Sequence, residues 1–209
     1  MTYSCKYLHQ TSKQGEETEG LFLSQSPDMI SPIASGSCVT HVFLTSGDAG
    51  LGLDYSESRE AGNETAVASM AGVTDSWTEY NATLGGQLAL VRTLAGQPNV
   101  QRVWLRLPDG NMDGTGFSRN GGQSLLKLYY GSINSISNRY GTATFSMVDL
   151  ITALTQIIVA RAPATIATLD YLSDYGIGDH TDHQTAARIV SSTVQSVLPN
   201  VLFKGYVST

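Results

Sequence analysis

The sequence predicts a single α/β layered domain, and three stretches carry that expectation. First, Val39-Thr-His41-Val42-Phe43-Leu44-Thr45 is β-branched and apolar, and it runs through a glycine-rich loop into a helix from about Tyr55 to Ala71. Strand, loop and helix make the first half of a βαβ unit. Second, Ser146-Met-Val-Asp149 opens a helix to about Ala162, which Pro163 ends before an apolar run begins at Thr165. Third, that run leads through a polar loop into Gln184–Val197, where Ala187, Ile189, Val190 and Val194 fall near helical spacing. Strands alternating with helices argue for one layered domain, and 209 residues suffice to bury its core.

The remaining elements follow in order. Residues 1–20 are polar and poorly patterned, with Tyr3 to Leu8 their one strand-like run. Ordered structure is expected from Leu21-Phe22-Leu23 onward, as one domain over residues 21–209. Ser26-Pro27-Asp28 reads as a helix start, closed by Gly36. Asp75 to Leu94 alternates polar and apolar residues, as short strands do, and Val103–Leu107 is a second core strand. Gln123 to Ile136 reads as an amphipathic helix with Leu125, Leu126, Leu128, Tyr129 and Ile133 among its apolar residues. Tyr140 to Phe145 is a connector, and Asn200–Val207 a last edge strand.

Composition excludes several classes. Twelve basic against eighteen acidic residues give a net charge of −6 with no basic cluster, so nucleic-acid binding has no electrostatic support. No apolar run approaches membrane-spanning length. Cys5 and Cys38 permit one disulfide but no zinc knuckle. The sequons Asn63-Glu-Thr65 and Asn81-Ala-Thr83 suggest a secreted or endoplasmic-reticulum glycoprotein, whereas Met1 to Gly20 has no signal-peptide core.

Three loops hold chemistry-bearing residues. Ser46-Gly47-Asp48-Ala49-Gly50-Leu51-Gly52 has no Lys-Ser/Thr and is a poor nucleotide fingerprint; a loop shaping a sugar-sized pocket suits it better. Asp109-Gly-Asn111-Met-Asp113-Gly114 opens like a calcium loop, but Asn120 stands at the twelfth position and a strand precedes it, which favours an ordinary polar turn. Tyr175-Gly-Ile-Gly-Asp179-His180-Thr-Asp182-His183 lies between a strand and a helix, where open α/β sheets keep their sites. Histidines there can ligate a metal or move protons, and a neighbouring carboxylate can fix their tautomer. The same stretch also reads as a helix N-cap, with Asp182 answering free backbone N–H groups.

Taken together these motifs resemble the PIG-L/LmbE-like de-N-acetylase family, particularly its fungal and actinobacterial branch. The resemblance runs through Leu21-Phe-Leu-Ser with Pro27-Asp28-Met29, Val42–Gly50, Tyr55 with Arg59-Glu60 and Met70–Val73. It continues through Arg106–Asn111 with Asp113-Gly114, Asp170-Tyr171 and Gly178–His183, covering roughly residues 21–206. It implies a Rossmann-like three-layer α/β fold with a mostly parallel sheet and a zinc site at the carboxyl ends of the strands. The implied activity is hydrolysis of the acetamide of N-acetylglucosamine-containing substrates, as in an N-acetylglucosaminylphosphatidylinositol deacetylase. An amino-sugar or glycolipid is then the partner. His183 would be a zinc ligand, His180 the histidine that steadies the oxyanion and Asp182 its carboxylate neighbour. Asp48, Arg59 and Asp170 would line the pocket and hold sugar hydroxyls.

The family's proximal His-x-Asp-Asp motif is where the chain departs. One register places Gly15, Glu17 and Thr18 at the ligand, base and ligand positions. The other, Ser26-Pro27-Asp28-Met29, keeps only the base, Asp28. Glu17 or Asp28 is thus the expected base, and two of three protein ligands are missing, although a catalytic zinc ordinarily needs three. Two explanations stand side by side: a paralogue that has lost zinc, or residues 1–20 replacing the true first exon. The corresponding alternative function is a metal-free, carbohydrate-binding pseudoenzyme of the same fold.

Overall fold

The computed structural model describes residues 7–11, 28–177 and 179–206. In chain order its elements are β1 (Tyr7–Thr11), a helix through residues 28–34 (α1), β2 (Val39–Thr45), α2 (Leu53–Ala71), β3 (Trp77–Leu84), β4 (Gln87–Leu94) and β5 (Val100–Leu107). Then come α3 (Leu125–Tyr129), β6 (Ile136–Ser137), β7 (Thr144–Phe145), α4 (Met147–Arg161), β8 (Thr165–Leu169), α5 (Thr181–Val197) and β9 (Leu202–Tyr206). One seven-stranded sheet, ordered β3-β4-β5-β2-β1-β8-β9, organises this mixed α/β fold. The five strands from β5 to β9 in that order are mutually parallel. The β3–β4 hairpin adds an antiparallel edge beside β5.

β1 falls in the poorly patterned segment, overlapping the strand-like run Tyr3 to Leu8 at Tyr7 and Leu8, and it lies between β2 and β8 and pairs with both. Pairing on two sides satisfies its backbone, so neighbours supply what its own propensity does not. The stretch Leu21-Phe22-Leu23 and Ser26-Pro27, which carry the expected onset of order and helix start, lie outside the described residues.

Side chains alternate between two packed clusters. Val42 and Leu44 of β2 and Val103, Leu105 and Leu107 of β5 join residues of α3, α4 and α5 in one. Val39 and Val100 join Met29, Ile33, Val67, Ala68 and Leu94 in the other. Successive strand residues face opposite ways, so the parallel strands are apolar on both sides. On α4, Leu150, Leu154, Ile157 and Ile158 are buried in the larger cluster, and each such side chain contributes about 1.5–3 kcal/mol. Ser146 and Asp149 form the expected capping box at its start.

Two elements differ from expectation. The helix expected over Gln123–Ile136 is five residues long; Gly131, at φ 72°, takes a left-handed conformation and Ser137 pairs with Thr144 in a two-stranded ribbon. The last helix begins three residues early, at Thr181, so Asp182 and His183 lie in its first turn and not in the preceding loop. Cys38, at the head of β2, is disulfide-bonded. Among the described residues no helix is long and apolar enough to cross a membrane.

Candidate functional site

The ends of β2 and β5 each feed a loop with a completely buried aspartate, Asp48 and Asp109. Asp48 Oδ1 accepts the Asp109 backbone N–H at 3.1 Å. Its Oδ2 accepts from Asn120 Nδ2 at 3.3 Å and from the Arg139 guanidinium. Arg139 is placed by its own backbone, whose N–H donates to the Arg106 carbonyl at 2.8 Å. Asp109 in turn closes its loop, with Oδ1 taking the Asn111 N–H at 2.8 Å and Oδ2 the Ala49 N–H at 3.3 Å. Each carboxylate oxygen named is therefore aimed by a backbone or side-chain donor, which leaves little rotamer freedom.

The start of α5 meets this pair. His180 is the N-cap: its Nδ1 accepts the Asp182 N–H at 3.1 Å. Asp182 spends its carboxylate elsewhere, with Oδ2 accepting the Gly110 N–H at 2.8 Å. Gly110 is required there by space, because a Cβ would stand 2.5 Å from Asp182 Oδ1. Thr181 Oγ1 donates to the Asn111 carbonyl at 3.0 Å, a second tie between helix and loop. His183 Nδ1 lies 2.6 Å from Asp179 Oδ1, which also accepts the His180 N–H at 2.8 Å. The rings of His180 and His183 are 5.3 Å apart.

Charge is concentrated and sealed from water. Burial, opposed by the His180 charge and reinforced by Asp109, pushes the Asp182 carboxyl up to about 7. For His180, burial works against the imidazolium, but the Asp109 hydrogen bond and the charges of Asp182, Asp109 and Asp179 outweigh it and raise its pKa. An imidazole whose Nδ1 accepts the cap hydrogen bond carries its proton on Nε2, and Nε2 stands 3.5 Å from Asp109 Oδ1. Protonation of Nδ1 would cost the cap. Asp182 Oδ1 is buried without a hydrogen-bond partner, and His180 Nε2 has only the 3.5 Å approach to Asp109 Oδ1. Asp109, His180 and Asp182 each offer a ligand atom, all within 4.8 Å of one another, and this buried group could hold a metal ion.

Of the residues singled out in the sequence, Asp48, His180 and Asp182 converge here and His183 stands beside them. Asp48 is a brace beneath Asp109, its oxygens occupied. Asp170 lies at the end of β8 and closes its own turn, Oδ1 accepting from Leu172 N at 2.8 Å and Ser173 N at 3.1 Å. Burial raises its pKa, but those hydrogen bonds leave it lowered overall. Arg59 lies over the Tyr55 ring on α2 and makes none of the cluster hydrogen bonds described above. Asp28 is half-exposed and pairs with β9, accepting from Lys204 Nζ at 2.8 Å and from the Tyr206 hydroxyl. Glu17 lies outside the described residues.

Sequence reasoning missed Asp109, Asp179, Asn120 and Arg139 as site residues. The calcium-like pattern did mark Asp109, but its oxygens are not gathered around a common point: Asp109 turns inward while Asp113 Oδ1 accepts from Thr115 N at 3.0 Å at the surface. A cavity of about 460 Å³ is lined among others by Pro108, Arg119 and Gln123, and by Asn120 and Arg139, the partners of Asp48; Asp109, His180, Asp182 and His183 are not among its lining residues. Compared with known proteins, the chain matches no protein-family model and no curated protein.

Proposed function

We propose that the chain is a metal-dependent N-deacetylase with a Rossmann-like three-layer fold, its site at the carboxyl ends of the parallel strands. Its substrates would be N-acetylglucosamine-containing sugars or glycolipids. The observation that carries this reading is the convergence of Asp109, His180 and Asp182 in one buried group. Support also comes from the unbroken parallel run β5-β2-β1-β8-β9 and from a core packed on both sides of those strands.

The donor set fits a divalent cation. Two carboxylates and an imidazole offer hard and borderline ligands suited to zinc, and buried Asp182 Oδ1 lacks a partner that an ion would supply. Binding through His180 Nε2 would move its proton to Nδ1 and release the Asp182 N–H cap. Asp109, His180 and Asp182 would hold it, in place of the proximal ligands absent from the sequence. Once bound, zinc lowers the pKa of a water and polarises a carbonyl.

The chain's own groups supply the remainder. His183, oriented by Asp179, would take a proton from water in the manner of a carboxylate-steered imidazole. The water oxygen bonds to the acetamide carbon, the C–N bond breaks, and the same proton passes to the leaving nitrogen, giving an amine and acetic acid, whose remaining proton passes to the amine to leave acetate and an ammonium. The 460 Å³ cavity, with its amides and arginines, accepts the sugar. Arg139 and Asp48 hold Asp109 in place as positioning residues.

The test is acetate release from N-acetylglucosamine oligomers and from an N-acetylglucosaminyl glycolipid, by the zinc-loaded chain and its Asp182→Asn and His183→Ala variants. Release by the parent alone supports the reading. A chain that binds the sugars without releasing acetate is the pseudoenzyme.

A further inference from the structure

Two sequons occupy very different surroundings. Asn63, on α2, is only 4 % exposed, its Oδ1 is sealed without a partner, and the hydroxyl of its sequon residue Thr65 is held by Asp75 at 2.6 Å. Asn81 and Thr83, on β3, are both exposed. β3 is the outermost strand of the sheet, eight residues long, with Tyr80 53 % exposed and the neighbouring Leu88 45 % exposed. A long exposed edge of this kind invites pairing with another chain unless something covers it.

Asn81 also borders a groove. Cavities of about 220 Å³ and 480 Å³ share Asn81, Leu90, Arg106 and Tyr140 among their lining residues. Leu90 is the cross-strand partner of Asn81. The guanidinium of Arg106 stacks on the Tyr140 ring at 4.6 Å. Trp104 also lines the smaller cavity. An apolar strip and an aromatic ring beside a guanidinium suit the mixed faces of a hexosamine.

We propose that Asn81 carries an N-linked glycan, that Asn63 carries none, and that the first sugar of the glycan lies over the groove beside β3. The donor is a lipid pyrophosphate-linked oligosaccharide. Asn81 Nδ2 forms a bond to the anomeric carbon, the bond from that carbon to the pyrophosphate breaks, and the amide proton leaves with the lipid pyrophosphate; nothing is oxidised or reduced. The disulfide at Cys38 agrees with the oxidising compartment in which such transfer occurs. A sugar on Asn63 would hold α2 off the sheet, so folded molecules carry none there. This inference is independent of the deacetylase reading.

The experiment expresses the full chain with a secretion leader in eukaryotic cells and maps glycopeptides of the folded, secreted protein by mass spectrometry. Expected is a glycan on Asn81, lost in Asn81→Gln and in the exposed variant Thr83→Ala, and retained in Asn63→Gln. Trimming to one N-acetylglucosamine should leave Tm unchanged, and complete removal should lower it by about 2–4 °C. Unmodified Asn81, or a glycan on Asn63 in folded protein, overturns the assignment. Equal Tm after trimming and after complete removal overturns the seat in the groove.

Discussion

His180 and Asp182 exchange the roles that their types suggest: the histidine caps α5, with Nδ1 accepting the Asp182 N–H at 3.1 Å, while the aspartate reaches across to the backbone of Gly110 at 2.8 Å. An aspartate at this place would ordinarily cap the helix. Here it instead joins α5 to the loop after β5, and the site exists because of that exchange.

The pH dependence of stability follows from these two groups. Both have raised pKa values, so around neutrality the folded state binds more protons than the unfolded one, and stability falls as pH rises. For Asp182 the loss runs from its unfolded carboxyl range up through about 7. For His180 the stabilisation is complete below its ordinary 6.5 and is lost as pH rises from there through its raised folded value. In EDTA, Tm should decline from pH 6 to pH 8.5, and Asp182→Asn should flatten that decline. A zinc-loaded protein should resist it, because the ion favours the ionised carboxylate. A Tm in EDTA that rises over this range would contradict the burial of Asp182.

Gly110→Ala separates geometry from stability. Its Cβ would meet Asp182 Oδ1 at 2.5 Å, so the carboxylate must shift, and a displacement near 1 Å costs on the order of 10²-fold in rate. Acetate release should fall by about that factor while the unfolding transition stays cooperative. Unchanged kcat would show that Asp182 need not sit where it does.

Asp48 and Arg139 are a buried pair, their side chains 0 % and 7 % exposed. Removing one partner strands the other's charge, at a cost of about 3–5 kcal/mol. Arg139→Met should therefore destabilise strongly in urea titrations, and adding Asp48→Asn should recover most of the loss. Additive losses in the double variant would deny the coupling.

Arg102 is a different case. It is completely buried on β5 with none of its nitrogens hydrogen-bonded. Burial, offset in part by Glu64, lowers its pKa to about 9. A guanidinium of this kind strains the fold, and Arg102→Met should leave Tm equal or higher. A lower Tm would mean that the charge is answered within the folded protein.

Much of the fold was legible in the sequence because local signals were strong: the β-branched run of β2, the Ser146–Asp149 cap and Pro163 each act over a few residues. β1 was legible only where the strand-like run Tyr3 to Leu8 overlaps it at Tyr7 and Leu8, because its place depends on β2 and β8, far away in sequence. The helix expected after Gln123 stops early because Gly131 turns the chain, which its leucines could not reveal. At the site, His180, Asp182 and His183 stood out by spacing alone. Asp109 did not, since only the parallel register of β2 and β5 brings its loop beside that of Asp48, and Arg139 did not, since the Arg106 carbonyl, far off in sequence, places it against Asp48. Asp28 looked like a base by motif position, yet Lys204 and Tyr206, almost at the other end of the chain, hold it on β9.

The most direct measurement is metal content of the purified, zinc-equilibrated chain beside its Asp109→Asn and His183→Ala variants, with acetate release followed in the same samples. One equivalent of zinc in the parent, lost in Asp109→Asn but kept in an inactive His183→Ala, is the expected result. No zinc and no acetate from the parent would contradict a metal-dependent deacetylase built on Asp109, His180 and Asp182.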